Sequence, residues 1–345
     1  MTLKLILDTD PGVDDAMAIA YAIAHPDIEL LALTTVFGNA SVDLTTRNAQ
    51  YLLERFGARD VAVARGAAKP LTREPLPAPC FVHGHDGLGN AYPGSTETAA
   101  AESAVPLDPD ARHAHVAESD AADFIIAASH AHQGELCLAA VGPLTNIAEA
   151  LRRDPTLPER VRSLVVMGGT LLEPGNVTPL AEANFFNDPH AADEVAGANW
   201  PLTVVGLDVT HQVMLCDADI ARLRDGAGDT GQVIWDSSRF YIDFYSKAGA
   251  AAEEVAAGGE RACAIHDASA LVYLTLADAF GYVEGTARVI TDGLGSGQMA
   301  VNRRPFLSYV LPHWNDRPMV AVCMDVDEAR VREDFINTIL DGHRT

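Results

Sequence analysis

The sequence predicts an α/β fold, a doubly wound and mostly parallel sheet with helices on both faces and a Rossmann-like core. Two observations carry this. Short apolar runs recur along the chain, each followed by a stretch with helical spacing. These runs are mostly apolar and do not alternate regularly with polar residues, as strands covered on both faces require.

The first run, Leu3 to Leu7, leads into a helical pattern from Asp14 to about His25. Ile28 to Val36 is the second apolar run, Ser41 is placed as the N-cap of a helix ending near Phe56, and Val61 to Ala64 is a third short strand. A polar loop rich in Pro and Gly, from about Pro70 to Leu107, interrupts the alternation. It resumes with a helix from Asp120 to Ala131, a strand from Leu136 to Val141, and further strands at Leu164 to Met167 and Leu202 to Leu207. Leu215 to Glu260 is helical but punctuated by Gly226, Gly228, Gly258 and Gly259, and reads as a mobile helical insertion or lid. Ile265-His266-Asp267 opens a helical run toward Leu276. No repeat and no linker divides the 345 residues, so one domain is expected over 1–345.

Composition narrows the function. With 48 Asp+Glu against 24 Lys+Arg, the formal charge of -24 argues against nucleic acid, which needs a clustered basic face. A small neutral ligand or a cation fits better, and a solvated acidic surface accounts for most of the excess. Cys80, Cys137, Cys216, Cys263 and Cys323 are scattered without C-x-x-C spacing, which indicates neither a disulfide framework nor a zinc site. The opening Met1 to Leu7 is too short an apolar run for a signal peptide and no stretch approaches a membrane span, so a cytoplasmic protein with no membrane partner is expected.

In an open parallel sheet, ligands bind at the carboxyl ends of the strands. The first strand delivers Asp8, Asp10, Asp14 and Asp15 there, on a Pro11-Gly12 turn that opens a helix. Helix capping explains one Asp. A hard divalent cation with oxygen ligands would neutralise the rest, and Ca²⁺ and Mg²⁺ both suit a stretch with no His or Cys nearby. Other strands end at Gly38-Asn39, at Val141-Gly142-Pro143 and at Met167-Gly168-Gly169, where turn chemistry explains the glycines equally well.

Together these segments resemble the inosine-uridine preferring nucleoside hydrolase family. The signature D-x-D-P-G-x-D-D-A stands at Asp8 through Ala16, and T-T-V-x-G-N at Thr34 through Asn39. Gly142 to Asn146, Met167 to Gly169, Gly175-Asn176, Glu182 to Asn184 and His266-Asp267 follow in the family's order, so the resemblance spans nearly the whole chain. It implies a nucleoside hydrolase-like fold and hydrolysis of the N-glycosidic bond of ribonucleosides to ribose and free base, in nucleoside salvage. It further implies Ca²⁺ held by Asp10, Asp15, Asp267 and the backbone carbonyl of Val141. Asp10 would also be the general base toward a calcium-bound water. Asp14, Asn39, Asn176, Glu182 and Asn184 would clamp the ribose hydroxyls, with Met167 packed near the sugar. His266 resembles the histidine that protonates or polarises the departing base. His83, in His83-Gly84-His85-Asp86-Gly87-Leu88, matches a loop that folds over the substrate. A homodimer or homotetramer is implied as well.

One departure stands at Ala183, where many members carry an aromatic residue. Tyr241 and Tyr245, four apart on one helix face, are placed to close over the base by stacking, although ordinary packing also explains that spacing. Two other readings remain at this point. A haloacid dehalogenase-like phosphatase also places D-x-D after its first strand, but phosphoryl transfer calls for positive charge, and Lys4, Lys69 and Lys247 include none before a downstream acidic pair. A non-catalytic nucleoside or calcium-binding protein would not need both Asp10 and His266.

Overall fold

The computed structural model describes residues 2–93, 116–247, 259–304, 306–307, 309–310 and 312–343. The part of the Pro70 to Leu107 loop beyond 93, and residues 248–258 of the expected lid, lie outside them. Strands β1 (Leu3–Thr9), β2 (Ile28–Thr35), β3 (Ala62–Arg65), β4 (Leu136–Ala140), β5 (Val161–Met167) and β6 (Leu202–Val205) alternate with helices, as the apolar runs predict. A short ribbon, β7 (Met214–Cys216) with β8 (Ala262–Ala264), is followed by β9 (Phe280–Val289), β10 (Met299–Asn302) and β11 (Met319–Val326). The main sheet has the order β10-β9-β11-β6-β5-β4-β1-β2-β3. From β11 to β3 every neighbouring pair is parallel, whereas β9 runs antiparallel to both β11 and β10.

Winding outward in both directions from β1 and β4 leaves a crevice at their carboxyl ends, the place where an open α/β sheet takes its ligand. Successive strand residues enter different cores. Leu5, Leu7, Val165 and Met167 join one apolar cluster, and Ile6, Leu164 and Val166 join another on the opposite face. Each such side chain contributes about 1.5–3 kcal/mol by leaving water. The first core is covered by α1 (Val13–Ala24), α2 (Val42–Arg55), α10 (Gly228–Tyr245), α11 (His266–Thr275) and α12 (Glu328–Gly342), and the second by α4 (Ala121–Ala131), α5 (Thr145–Arg153) and α7 (Pro189–Ala196). The remaining helices are the short α3 (Cys80–His83), α6 (Ala183–Asn187) and α8 (Leu207–Thr210), and α9 (Asp217–Gly226).

The local start signals hold. Ser41 caps α2 by accepting from Leu44 N, and Asp120 caps α4 by accepting from Asp123 N. Within the expected lid, the described residues include α10, whose Ile234, Tyr241 and Ile242 are buried in the first core. The C-terminal strands were not foreseen. β9 is exposed at Gly281, Tyr282 and Glu284 and lacks the continuous apolar run of the central strands. Among the described residues no helix is long and apolar enough to cross a membrane.

Candidate active site

The turn from β1 into α1 is built around Asp15. Its carboxylate accepts from Thr9 Oγ1, from Asp10 N and Gly12 N at 3.1 and 2.8 Å, and from Asn39 Nδ2 at 2.9 Å. Asp15 therefore closes the helix start from its N3 position, leaving Asp10 and Asp14 without that task. Asp10 Oδ2 accepts from Asn39 N at 2.7 Å, while its Oδ1 is buried with no hydrogen-bond partner, and Asp14 Oδ1 is in the same condition. Gly38 and Gly142 make room for Asp10, since a Cβ on either would stand 2.0 Å from Oδ2 or 2.5 Å from Oδ1. Asp8 points elsewhere, accepting from Thr34 Oγ1 and from Asn146 Nδ2 at 2.7 Å.

Asp14, Asp15 and Asp267 each offer an oxygen within 4.8 Å of the others, and all three are buried. Burial first, and then the neighbouring carboxylates, push the Asp14 carboxyl up to about 8 and those of Asp10 and Asp267 well above the usual range. Burial also raises Asp15, against the pull of its hydrogen bonds from Thr9 and Gly12. No Lys or Arg among the described residues pairs with these four; Asp14 has the Tyr241 hydroxyl and, at 3.9 Å, the His83 ring beside it. Clustered carboxylates with orphaned oxygens and oxygen-only chemistry fit a hard divalent cation, which would offset their desolvation and repulsion.

Above this floor lies a cavity of about 310 Å³, at the small end of the roughly 300–1,000 Å³ usual for small-molecule sites. One wall is imidazole and phenol. His266 Nδ1 lies 2.7 Å from Thr210 Oγ1, and its Nε2 lies 2.6 Å from the Tyr245 hydroxyl. Burial, with His211 and His83 beside it, holds the His266 ring well below the usual imidazole range, so it is neutral. The Tyr241 and Tyr245 rings stand edge to face with centroids 4.9 Å apart. His83 is buried under Tyr241, takes a hydrogen bond from Val13 N at 3.3 Å, and is pushed by burial to about 3.

The opposite wall comes from the loops after β4 and β5. Glu182 caps α6, its carboxylate accepting from Asn184 N, Gly169 N and Phe185 N at 2.7, 2.7 and 3.1 Å, and burial raises it to about 7. Asn184 Nδ2 donates to the carbonyls of Val141 and Met167 at 2.8 and 3.1 Å, and Asn176 Oδ1 accepts from Ala183 N at 3.0 Å. A crevice at the β1/β4 switch point, with buried carboxylates below and neutral hydrogen-bonding rings beside, suits a small polyhydroxylated ligand carrying a planar group.

A family model described as inosine-uridine preferring nucleoside hydrolase matches residues 5–333. The chain belongs to this family. It is a nucleoside hydrolase, an enzyme acting on ribonucleosides. It is 38% identical over 312 residues to uridine nucleosidase 1 of Arabidopsis thaliana, covering 90% of this chain and 84% of that protein. To the inosine-uridine preferring nucleoside hydrolase of Leishmania major it is 39% identical over 249 residues, 72% of this chain and 74% of the other. Among solved structures it is similar to the plant nucleoside hydrolase PpNRh1, with a TM-score of 0.87 and 32% identity over 99% of both chains.

For this nucleoside hydrolase, twelve of the fourteen residues singled out in the sequence line the cavity: Asp14, Asn39, His83, Val141, Met167, Asn176, Glu182, Asn184, Tyr241, Tyr245, His266 and Asp267. Asp10 and Asp15 are buried just beneath, 1% and 0% exposed. The group whose oxygens lie within 4.8 Å contains Asp14, which the resemblance placed on the ribose, and does not contain Asp10. His83 is no solvated loop residue, and Tyr245 spends its hydroxyl on His266. Sequence reasoning passed over the apolar mouth, Leu76, Phe81, Val177 and Phe244, and the Thr210 and His211 neighbours of His266. The mouth residues are scattered singly in loops or on a helix, with no spacing to mark them.

Proposed function

We propose that this enzyme hydrolyses the N-glycosidic bond of ribonucleosides with the help of Ca²⁺, Asp10 serving as general base, in nucleoside salvage in the cytoplasm. The observation that carries the reading is the set of buried carboxylates with unpartnered oxygens on the floor of a cavity walled by neutral His and Tyr side chains. Asp10, Asp15, Asp267 and the Val141 carbonyl would hold the ion, with Asp14 beside it. When bound, such an ion supplies a positive centre that orients hydroxyl groups and makes water more acidic.

Asp10 takes the proton of the attacking water, a task that suits a buried carboxyl whose oxygen has no competing donor. Asp14, Asn39, Asn176, Glu182 and Asn184 bind the ribose hydroxyls, and a site built on such hydrogen bonds rejects a sugar lacking one of them. Met167 packs against the sugar. His266, neutral and bonded to Tyr245, donates a hydrogen bond to the departing base, and His83 with the Tyr241 and Tyr245 rings encloses it. Of the segment at about 215–260, α10 covers the base side of the cavity through Tyr241 and Tyr245. Assembly as a homodimer or homotetramer belongs to the same reading, and light scattering on the purified protein measures it.

The test is release of ribose from inosine, uridine and cytidine, with and without EDTA, beside release of phosphate from p-nitrophenyl phosphate. Ribose release that EDTA abolishes and calcium restores is expected. Ribose release indifferent to EDTA overturns the role of the metal.

A further inference from the structure

His266 is held from behind as well as from the cavity. Thr210, on the short helix α8 at the carboxyl end of β6, is fully buried and does not line the cavity. Its hydroxyl lies 2.7 Å from His266 Nδ1, its one side-chain partner among the described residues. A buried hydroxyl must place its proton on an acceptor, because leaving it unpaired costs about 1–3 kcal/mol. The acceptor within reach is Nδ1. A ring that accepts at Nδ1 carries its proton on Nε2, the nitrogen 2.6 Å from the hydroxyl of Tyr245, which does line the cavity.

Helix α8 keeps Thr210 in place. Leu207 N donates to Gly169 O at 3.0 Å, and Thr210 N donates to Gly206 O at 3.1 Å. The Asp208 carboxylate takes the backbone N–H groups of Leu171, Leu172 and Glu173 at 2.7, 2.7 and 3.0 Å. The first two residues of this single turn are tied to the loop after β5 and its last is bonded back to Gly206, so the hydroxyl has little freedom to turn away from the ring.

We infer that Thr210 is a positioning residue for this enzyme: its hydroxyl fixes the tautomer of His266 so that the ring presents Nε2–H, which meets the Tyr245 hydroxyl, on the side of the departing base. The functional half of this inference rests on the reading of His266 as the base-side residue. The tautomer half stands on the hydrogen-bond geometry. The effect of Thr210 on catalysis must pass through the ring, because a residue behind the wall touches no substrate in the cavity.

The experiment uses the full chain labelled with ¹⁵N-histidine, its His266 resonances assigned by comparison with His266→Gln, together with ribose release from inosine. In the wild-type protein the nitrogen spectrum is expected to show His266 as the Nε2–H tautomer. Thr210→Val should shift it toward a mixture and lower kcat about tenfold, with KM within about twofold, because ground-state binding is left alone. Thr210→Ser, which keeps the hydroxyl, should restore both. A wild-type His266 protonated on Nδ1, a spectrum unchanged in Thr210→Val, or a Thr210→Ser enzyme as impaired as Thr210→Val would each overturn the inference. Should Thr210→Val fail to fold, the wild-type and Thr210→Ser spectra still decide it. Inosine turnover undiminished in His266→Ala would remove the base-side reading, and with it the catalytic half, while the nitrogen spectrum decides the tautomer separately.

Discussion

The acidic floor of the cavity and its imidazole and phenol wall are buried to a similar depth, yet their polar atoms end in opposite conditions. On the wall, His266 meets Thr210 and Tyr245, and the neutral rings satisfy one another. On the floor, Asp10 and Asp14 each keep an oxygen with no partner, and Asp14, Asp15 and Asp267 crowd within 4.8 Å. Burial disfavours the charged form in both places. Only the floor has like charges to repel, and only the floor needs something from outside to be complete. The wall is completed from within the chain, whereas the floor gathers buried carboxylates with no Lys or Arg partner among the described residues.

The comparison breaks most readily at Asp10. Asp10→Asn removes the proposed base together with a charge from the floor, and turnover is expected to fall by about 10³-fold or more, on the scale of other losses of an essential group. Ribose release at saturating calcium measures it, and a loss under tenfold would show that Asp10 is neither base nor ligand.

The next test separates floor from wall by pH. The Asp14 carboxyl lies near 8 in the fold, above its ordinary value, so the metal-free fold binds protons more tightly than the unfolded chain does. That contribution to stability is full below the ordinary carboxylate value and is lost as pH rises through about 8. Glu182, raised to about 7, acts with the same sign but away from the cluster. In EDTA, Tm should therefore fall between pH 5.5 and 8.5. With calcium, protons and ion compete for the same oxygens, so stabilisation by the ion should grow over that range. Parallel Tm curves with and without calcium would mean that the ion does not sit on these carboxylates.

The same contrast governs what the sequence discloses. The floor is local: Asp8 to Asp15 arrive on one strand end and one turn, and four carboxylates in eight residues cannot be accounted for by a single helix cap. The doubly wound core is equally legible, because apolar runs such as Leu3 to Leu7 name a strand buried on both faces without outside help. The wall is non-local. His83, Thr210, Tyr241, Tyr245 and His266 come together only once α3, α8, α10 and α11 have packed, and a Thr within Asp208-Val209-Thr210 carries no mark of the histidine it will meet 56 positions later. Strands β9 and β10, at the antiparallel edge, are illegible for another reason. They form one edge of the sheet, where half-exposed residues give neither a continuous nor a cleanly alternating pattern, whereas β11 does carry a continuous apolar run, Met319 to Met324, open to the same reading as the central strands.

Within the wall, His266→Ala should cost more on inosine than on uridine. Leaving-group assistance by a positioned side chain contributes about 10²–10⁴-fold. A purine base leaves with greater need of that help, so a loss of about 10²-fold on inosine and a clearly smaller one on uridine are expected. Equal losses on both would assign His266 to the sugar or to packing.

The smallest effect is expected at the mouth. Phe81 is 71% exposed, and its ring lies 6.0 Å from that of Phe244 at 59°, both lining the cavity entrance. Removing so exposed a ring changes stability little, within about 0.5 kcal/mol for an ordinary surface site. Its value to a bound base is an aromatic contact of about 0.5–1.5 kcal/mol, which corresponds to roughly a two- to twelvefold change in binding. Phe81→Ala should then raise KM several-fold with kcat unchanged, since the contact is made equally to substrate and transition state. A fall in kcat at constant KM would move Phe81 from the entrance to the reacting end. An unchanged KM on every nucleoside would leave the base held by the inner wall alone, and the division of labour would then lie wholly between the carboxylates below and the His266 and Tyr245 pair beside them.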